Sequence, residues 1–124
     1  SEKNIVGMER LKGKKQIEQL FVSGRSIGAF PLRLVYIETE IINKVGVSVS
    51  KKHFKNAVDR NKIKRLLRVA TKSHFHKLLE PLDSKYCLMV LYVGKEMPRS
   101  KELDVQFTSM TKRFNKKILN EVKL

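Results

Sequence analysis

The sequence predicts an α/β (α+β) two-layer sandwich with elements in the order α-β-β-β-α-β-α. Three observations carry that expectation. Residues 32–38 and 44–50 alternate along the chain with a period of two, the pattern of strands whose two faces differ. Residues 86–93 are apolar without interruption, as in a central strand buried on both faces. The stretches before, between and after these place apolar residues at helical spacing. Helices and strands arranged this way bury their apolar surfaces when the helices pack on a sheet.

At 124 residues the chain suits one domain, residues 1–124, and its 41% hydrophobic content supports a packed core. Residues 1–8 carry no pattern and are expected to be loosely ordered. A short helix is predicted over 14–22, where Ile17, Leu20 and Phe21 share a face; Ser23-Gly24 ends it, with the glycine as cap. Residues 25–31 read as a turn or short edge strand.

In the next strand Leu32, Leu34 and Tyr36 take one face, and Arg33, Val35 and Ile37 the other. In the strand at 44–50, Val45, Val47 and Val49 make a core face, and Gly46, Ser48 and Ser50 make a face without bulk. Such a face either admits another backbone or lies under a helix that needs small residues.

The helix that follows should begin near Asn56, an acceptable N-cap. Its 100° turn per residue puts Ile63, Leu66, Leu67 and Ala70 on one arc. Arg60, Asn61, Lys64, Arg65, Arg68 and Lys72 fall on the opposite arc around the small Ala57. The helix continues through Phe75, Leu78 and Leu79 until Pro81 stops it. The last helix, 101–122 with Ser100 as cap, aligns Leu103, Phe107, Met110, Phe114 and Ile118.

Charge narrows the function. Lys and Arg total 27 against 12 acids, a net +15. Residues 51–77 hold ten of those cations and one acid, Asp59. Charge concentrated on one helical face points to a polyanion, and arginine's planar fork suits phosphate. The acids are scattered without an acid/base or metal-ligand arrangement, and His74 and His76 point apart on their helix. No catalytic residue and no metal ligand is assigned in this chain.

The lone Cys87 reads as a buried small hydrophobe, which fits a reducing compartment. The longest apolar run is too short to span a bilayer, and the start has no apolar signal segment. A cytoplasmic protein without a membrane partner is expected.

Val45-Gly46-Val47-Ser48-Val49-Ser50-Lys51-Lys52, followed by Asn56-Ala57-Val58-Asp59-Arg60-Asn61-Lys62-Ile63-Lys64-Arg65-Leu66-Leu67-Arg68, resembles the signature of the bacterial ribonuclease P protein family. That signature joins a strand ending in Ser-Lys-Lys to a helix bearing Ala-Val-x-Arg-Asn-x-x-Lys-Arg-x-x-Arg. Arg10-Leu11, Phe21, Gly24, the apolar strand and the last helix extend the resemblance over nearly the whole chain. Two departures stand out: Lys62 replaces a frequent arginine, and His53-Phe54-Lys55 occupies a turn where the family has a glycine.

The resemblance implies a mixed four-stranded sheet with a left-handed βαβ crossover, against the usual right-handed preference. It implies an RNA-binding subunit paired 1:1 with ribonuclease P RNA. The RNA, with Mg2+, would carry the hydrolysis that removes the 5′ leader of precursor tRNA. Carried over by position, Lys51, Lys52, Arg60, Asn61, Lys64, Arg65, Arg68 and Lys72 would meet the catalytic RNA. Ile17, Phe21, Tyr36, Ser48 and Ser50 would form the leader cleft, with Val35 as the alternative to Tyr36. Composition and the basic helix alone suit a ribosomal or other structural RNA-binding protein equally; the spaced motif separates the two.

Overall fold

The computed structural model describes residues 4–5, 8–39 and 42–122. The elements are β1 (Asn4–Ile5), β2 (Met8–Arg10), α1 (Lys14–Ser23), β3 (Arg25–Ala29), β4 (Leu32–Thr39), β5 (Asn43–Val49), α2 (Ala57–Leu79), β6 (Lys85–Tyr92) and α3 (Ser100–Val122). The strands form one mixed sheet in the order β1-β2-β5-β6-β4-β3. The apolar strand β6 is central, as its lack of alternation requires. It runs antiparallel to β4 over eight residue pairs and parallel to β5. The passage β5–α2–β6 is therefore a parallel crossover between neighbours.

The sheet has six strands rather than four. The additions are β1, inside residues 1–8 where loose order was expected, and β2, which starts at Met8 and runs beyond them; residues 1–3 and 6–7 lie outside the described residues. Strands of two and three residues are too short for alternation to reveal. Pairing creates β2: it runs parallel to β5, with Arg10 opposite Val45 and the Leu11 amide donating to the Val45 carbonyl at 2.9 Å.

One sheet face carries the main core. Leu32, Leu34 and Tyr36 of β4, Val45 and Val49 of β5, and Leu88 and Val90 of β6 pack with residues of α2 and α3. The predicted stripe on α3 is wholly buried, from Leu103 to Ile118. Each such side chain contributes about 1.5–3 kcal/mol. Phe114 lies at the junction, edge-on to Tyr36, Phe75 and Tyr86 with centroids 5.0, 5.9 and 5.5 Å away. The buried seam of α2 is Ile63, Leu67, Thr71, Phe75 and Leu79, with Leu66 and Ala70 on its flank. The wheel thus missed Thr71, whose polarity concealed it. α3 starts one residue early: the Arg99 carbonyl accepts from the Leu103 amide, so Ser100 is inside the helix rather than its cap.

Among the described residues, the other sheet face carries only α1. Its Leu20 packs with Leu11, Val35 and Met89, and Ile17 adds to this smaller cluster. The Gly24 amide caps α1 on the Leu20 carbonyl at 2.7 Å, but Gly24 is extended, with φ −77°. Its glycine is required by space instead: a Cβ would lie 2.3 Å from the Leu20 oxygen.

Candidate nucleic-acid interface

Two surfaces follow from this arrangement. The first is the outer face of α2. Asn56 caps the helix as predicted, its Oδ1 accepting from the Val58 amide at 2.9 Å. Asn61, Arg65, Arg68 and Lys72 are exposed, and Lys64 is half-buried. Lys51 and Lys52 lie in the turn just before the helix, also exposed. That turn is held from several sides. Ser50 Oγ accepts from the Lys52 amide at 3.2 Å, and the Phe54 amide donates to the Ser50 carbonyl at 3.1 Å. Phe54 is buried against Tyr92, with centroids 6.1 Å apart. At His53-Phe54-Lys55 an apolar ring plugged into the core therefore anchors the turn.

Arg60 does not extend freely from the basic face. Its Nη1 donates to the carbonyls of Phe54 and Lys55, at 2.8 Å each. A guanidinium has five N–H donors, so the Nε and Nη2 hydrogens remain for a phosphate.

Sequence reasoning missed one member of this surface. Arg10 shares a sheet face with its ladder partner Val45, which belongs to the core cluster beneath α2. It therefore stands on the α2 side of the sheet. Partial burial, and then the charge of Arg10, lower the Arg68 guanidinium below its ordinary range. Arg10 stood in the sequence only beside Leu11 as part of the resemblance, and a strand of three residues is too short for alternation to show which face it takes.

The second surface is the part of the sheet that α1 leaves open. The ladders place residues in rows across it. Gly46, Met89, Val35 and Ser26 make the row under α1. Ser48, Leu91, Arg33 and Gly28 make the next. At Gly46 a Cβ would meet Met89 Cε at 3.0 Å and Leu11 Cβ at 3.3 Å, so the chain's own side chains claim that space. Ser48 is half-buried in the more open row. Phe21, 47% exposed, stands on the helix beside this face, and Ile17 is half-buried below it.

Tyr36 is not on this face. It is 2% exposed and packs on Phe114 in the main core. Period-two alternation puts Val35 toward α1 and Tyr36 away from it. Val35 is thus the residue of this pair on the α1 side, and Tyr36 belongs to the main core. Tyr36 instead lines a cavity of about 490 Å3 with Arg25, Glu38 and Tyr86, at the end of β4 far from Ser48. Ser50 is half-buried, and its hydroxyl is engaged by the turn.

Cys87 is half-buried on the α1 side rather than in the main core. His74 and Asp104 form an interhelical pair at 2.7 Å, with the imidazole stacked on Phe107. Among the described residues, no group of three or more His, Cys, Asp or Glu is placed to hold a metal ion. No described helix is long and apolar enough to cross a membrane.

Comparison with known proteins adds independent findings. A family model described as Ribonuclease P matches residues 7–117. A ribonuclease P protein component from Porphyromonas gingivalis is 34% identical over 97 residues, covering 73% of this chain and 71% of that protein. One from Nitrosococcus oceani is 33% identical over 60 residues, 48% of this chain and 50% of the relative. Among solved structures, the Staphylococcus aureus RNase P protein superposes with a TM-score of 0.65 at 25% identity, covering 83% of this chain and 92% of that one. The Thermotoga maritima RNase P protein matches in fold, with a TM-score of 0.55 at 22% identity over 93% of this chain and 96% of that one.

Proposed function

We propose, because this chain belongs to the bacterial ribonuclease P protein family, that it is the RNA-binding subunit that assists a catalytic RNA in removing the 5′ leader of precursor tRNA. The observation that carries this reading is the one-sided α2. Its inner edge is anchored in the core through Ile63, Leu67, Thr71 and Phe75. Its outer edge presents Asn61, Arg65, Arg68 and Lys72 to solvent, with Lys51 and Lys52 beside it. Such a rigid cationic edge can neutralise the phosphates of a folded RNA without reading bases.

The leader would lie on the open sheet face, where Ser48 offers a hydroxyl and Phe21 a ring for stacking. Ile17 and Val35 supply apolar floor. The RNA, with Mg2+, would supply the chemistry of phosphodiester hydrolysis. We assign one protein to one RNA, working in the cytoplasm.

Reconstitution tests the reading. With a bacterial ribonuclease P RNA, the protein should lower the magnesium concentration needed to cleave precursor tRNA. Absence of stimulation, with folded protein and matched RNA, would overturn it. A structural RNA-binding protein outside the ribonucleoprotein would bind RNA but leave cleavage unchanged.

A further inference from the structure

β2 carries a cation to the basic helix from outside the helix motif. Arg10 is its last residue, and two contacts set its direction. The Arg10–Val45 pairing places it over the α2-covered face. Leu11, the next residue, turns to the opposite face and is buried with Leu20, Val35 and Met89. Arg68 directly follows Leu67, which is fully buried in the same core cluster as Val45. Arg10 from the sheet and Arg68 from the helix thus belong to the same side of the molecule, the side on which α2 covers the sheet.

Neither arginine has a hydrogen-bond or ion-pair partner among the described residues. The nearest acid in sequence, Glu9, pairs with Lys44 in the ladder and lies on the other face. Asp59 is in the first turn of α2, more than two turns from Arg68. The electrostatics agree with the placement: partial burial first, and then the charge of Arg10, lower the Arg68 guanidinium below its ordinary range. Two like charges held together without an acid destabilise the free protein, and an anion between them removes that cost. Guanidinium groups make paired N–H···O bonds to phosphate oxygens, so the fitting anion is a phosphodiester.

We infer that Arg10 of β2 and Arg68 of α2 form a two-arginine clamp on one backbone phosphate of the RNA that the basic helix meets. The assignment of that RNA rests on the reading above; the anion site does not. The clamp also gives β2 a role. By pairing with β5, the short strand adds a second element to a surface otherwise built from one helix and its preceding turn.

The test is a double-mutant cycle in the full-length chain, with R10Q, R68Q and the double variant, read in two ways. With ribonuclease P RNA, each single change should weaken binding about ten-fold and reduce the slope of log K against log salt by about one. The double variant should lose less than the product of the two, because one phosphate is shared. Without RNA, inorganic pyrophosphate should raise the melting midpoint of the wild-type protein and do so less in each variant. At low salt and without any anion, R10Q should melt no lower than wild type, because it relieves repulsion. A lower midpoint for R10Q would make Arg10 structural and overturn the clamp. Wild-type affinity and slope in R10Q would overturn it as well. If the wild-type protein does not bind that RNA, the functional reading falls and pyrophosphate alone decides. A shift lost in R10Q keeps the clamp, and an equal shift in all four proteins overturns it.

Discussion

The Arg60 guanidinium is bound to the backbone of Phe54: its Nη1 donates to that carbonyl at 2.8 Å and to the adjacent Lys55 carbonyl at the same distance. A residue on the cationic face is thereby also a strut of the turn that aims Lys51 and Lys52. Arg60→Ala should destabilise the protein by about 1–2 kcal/mol, since charge-assisted hydrogen bonds to a part-buried turn are lost. Arg65→Ala, exposed and without such bonds, should stay within about 0.5 kcal/mol of wild type while weakening RNA binding. Chemical denaturation of both variants, alongside RNA titration, checks the distinction.

Gly24 and Gly28 should respond oppositely to alanine. A Cβ at Gly24 would meet the Leu20 carbonyl at 2.3 Å and the Tyr36 carbonyl at 3.0 Å, so backbone must move. The expected cost is about 1–3 kcal/mol. A Cβ at Gly28 meets nothing within 4 Å, and Gly28→Ala should be neutral or slightly stabilising. Thermal melts of the two variants are sufficient.

Phe21→Ala should lower affinity for leader-bearing precursor tRNA more than for mature tRNA, by about 1–3 kcal/mol if one base stacks on the ring. The 47% exposure of Phe21 makes a large stability loss unexpected. Tyr36→Ala should do the reverse: it should lower stability by about 3–5 kcal/mol as a core truncation, with no selective effect on the leader. Equal losses for precursor and mature tRNA in Phe21→Ala would remove Phe21 from the cleft.

Alkaline pH should destabilise the fold. Burial raises the Cys87 thiol, with Lys44 opposing, and burial followed by Glu102 and Glu96 raises the Tyr92 phenol. Each group keeps its proton longer when folded than when unfolded. Their stabilisation is therefore complete below the ordinary values of 9.0 and 10.0 and is lost as pH rises through the higher folded values. Unfolding free energy should fall above about pH 9, and Tyr92→Phe should make that fall shallower.

Much of this was legible in the chain. Strand alternation at 32–38 identified which residues share a face, and the structure kept that division. Asn56 was recognised as a cap because its side chain acts on an amide two residues away. These are local effects, and local spacing encodes them. The cleft register was not local. Whether Tyr36 or Val35 faces α1 depends on which side of the sheet a helix many residues earlier comes to rest, and α1 rests against Val35.

The amino-acid order alone determined the longer elements from α1 onward, the cationic edge of α2 and the family motif, because helical and strand periodicities are written in neighbouring residues. Tertiary structure alone decided that β2 joins the sheet, that Arg10 stands on the α2 side of it, and that Arg60 commits one nitrogen to a turn. Each of those depends on pairing or packing between segments whose separation along the chain says nothing of their distance in space. The free energy that sets them comes from ladder bonds and buried side chains that exist only after the chain has closed on itself.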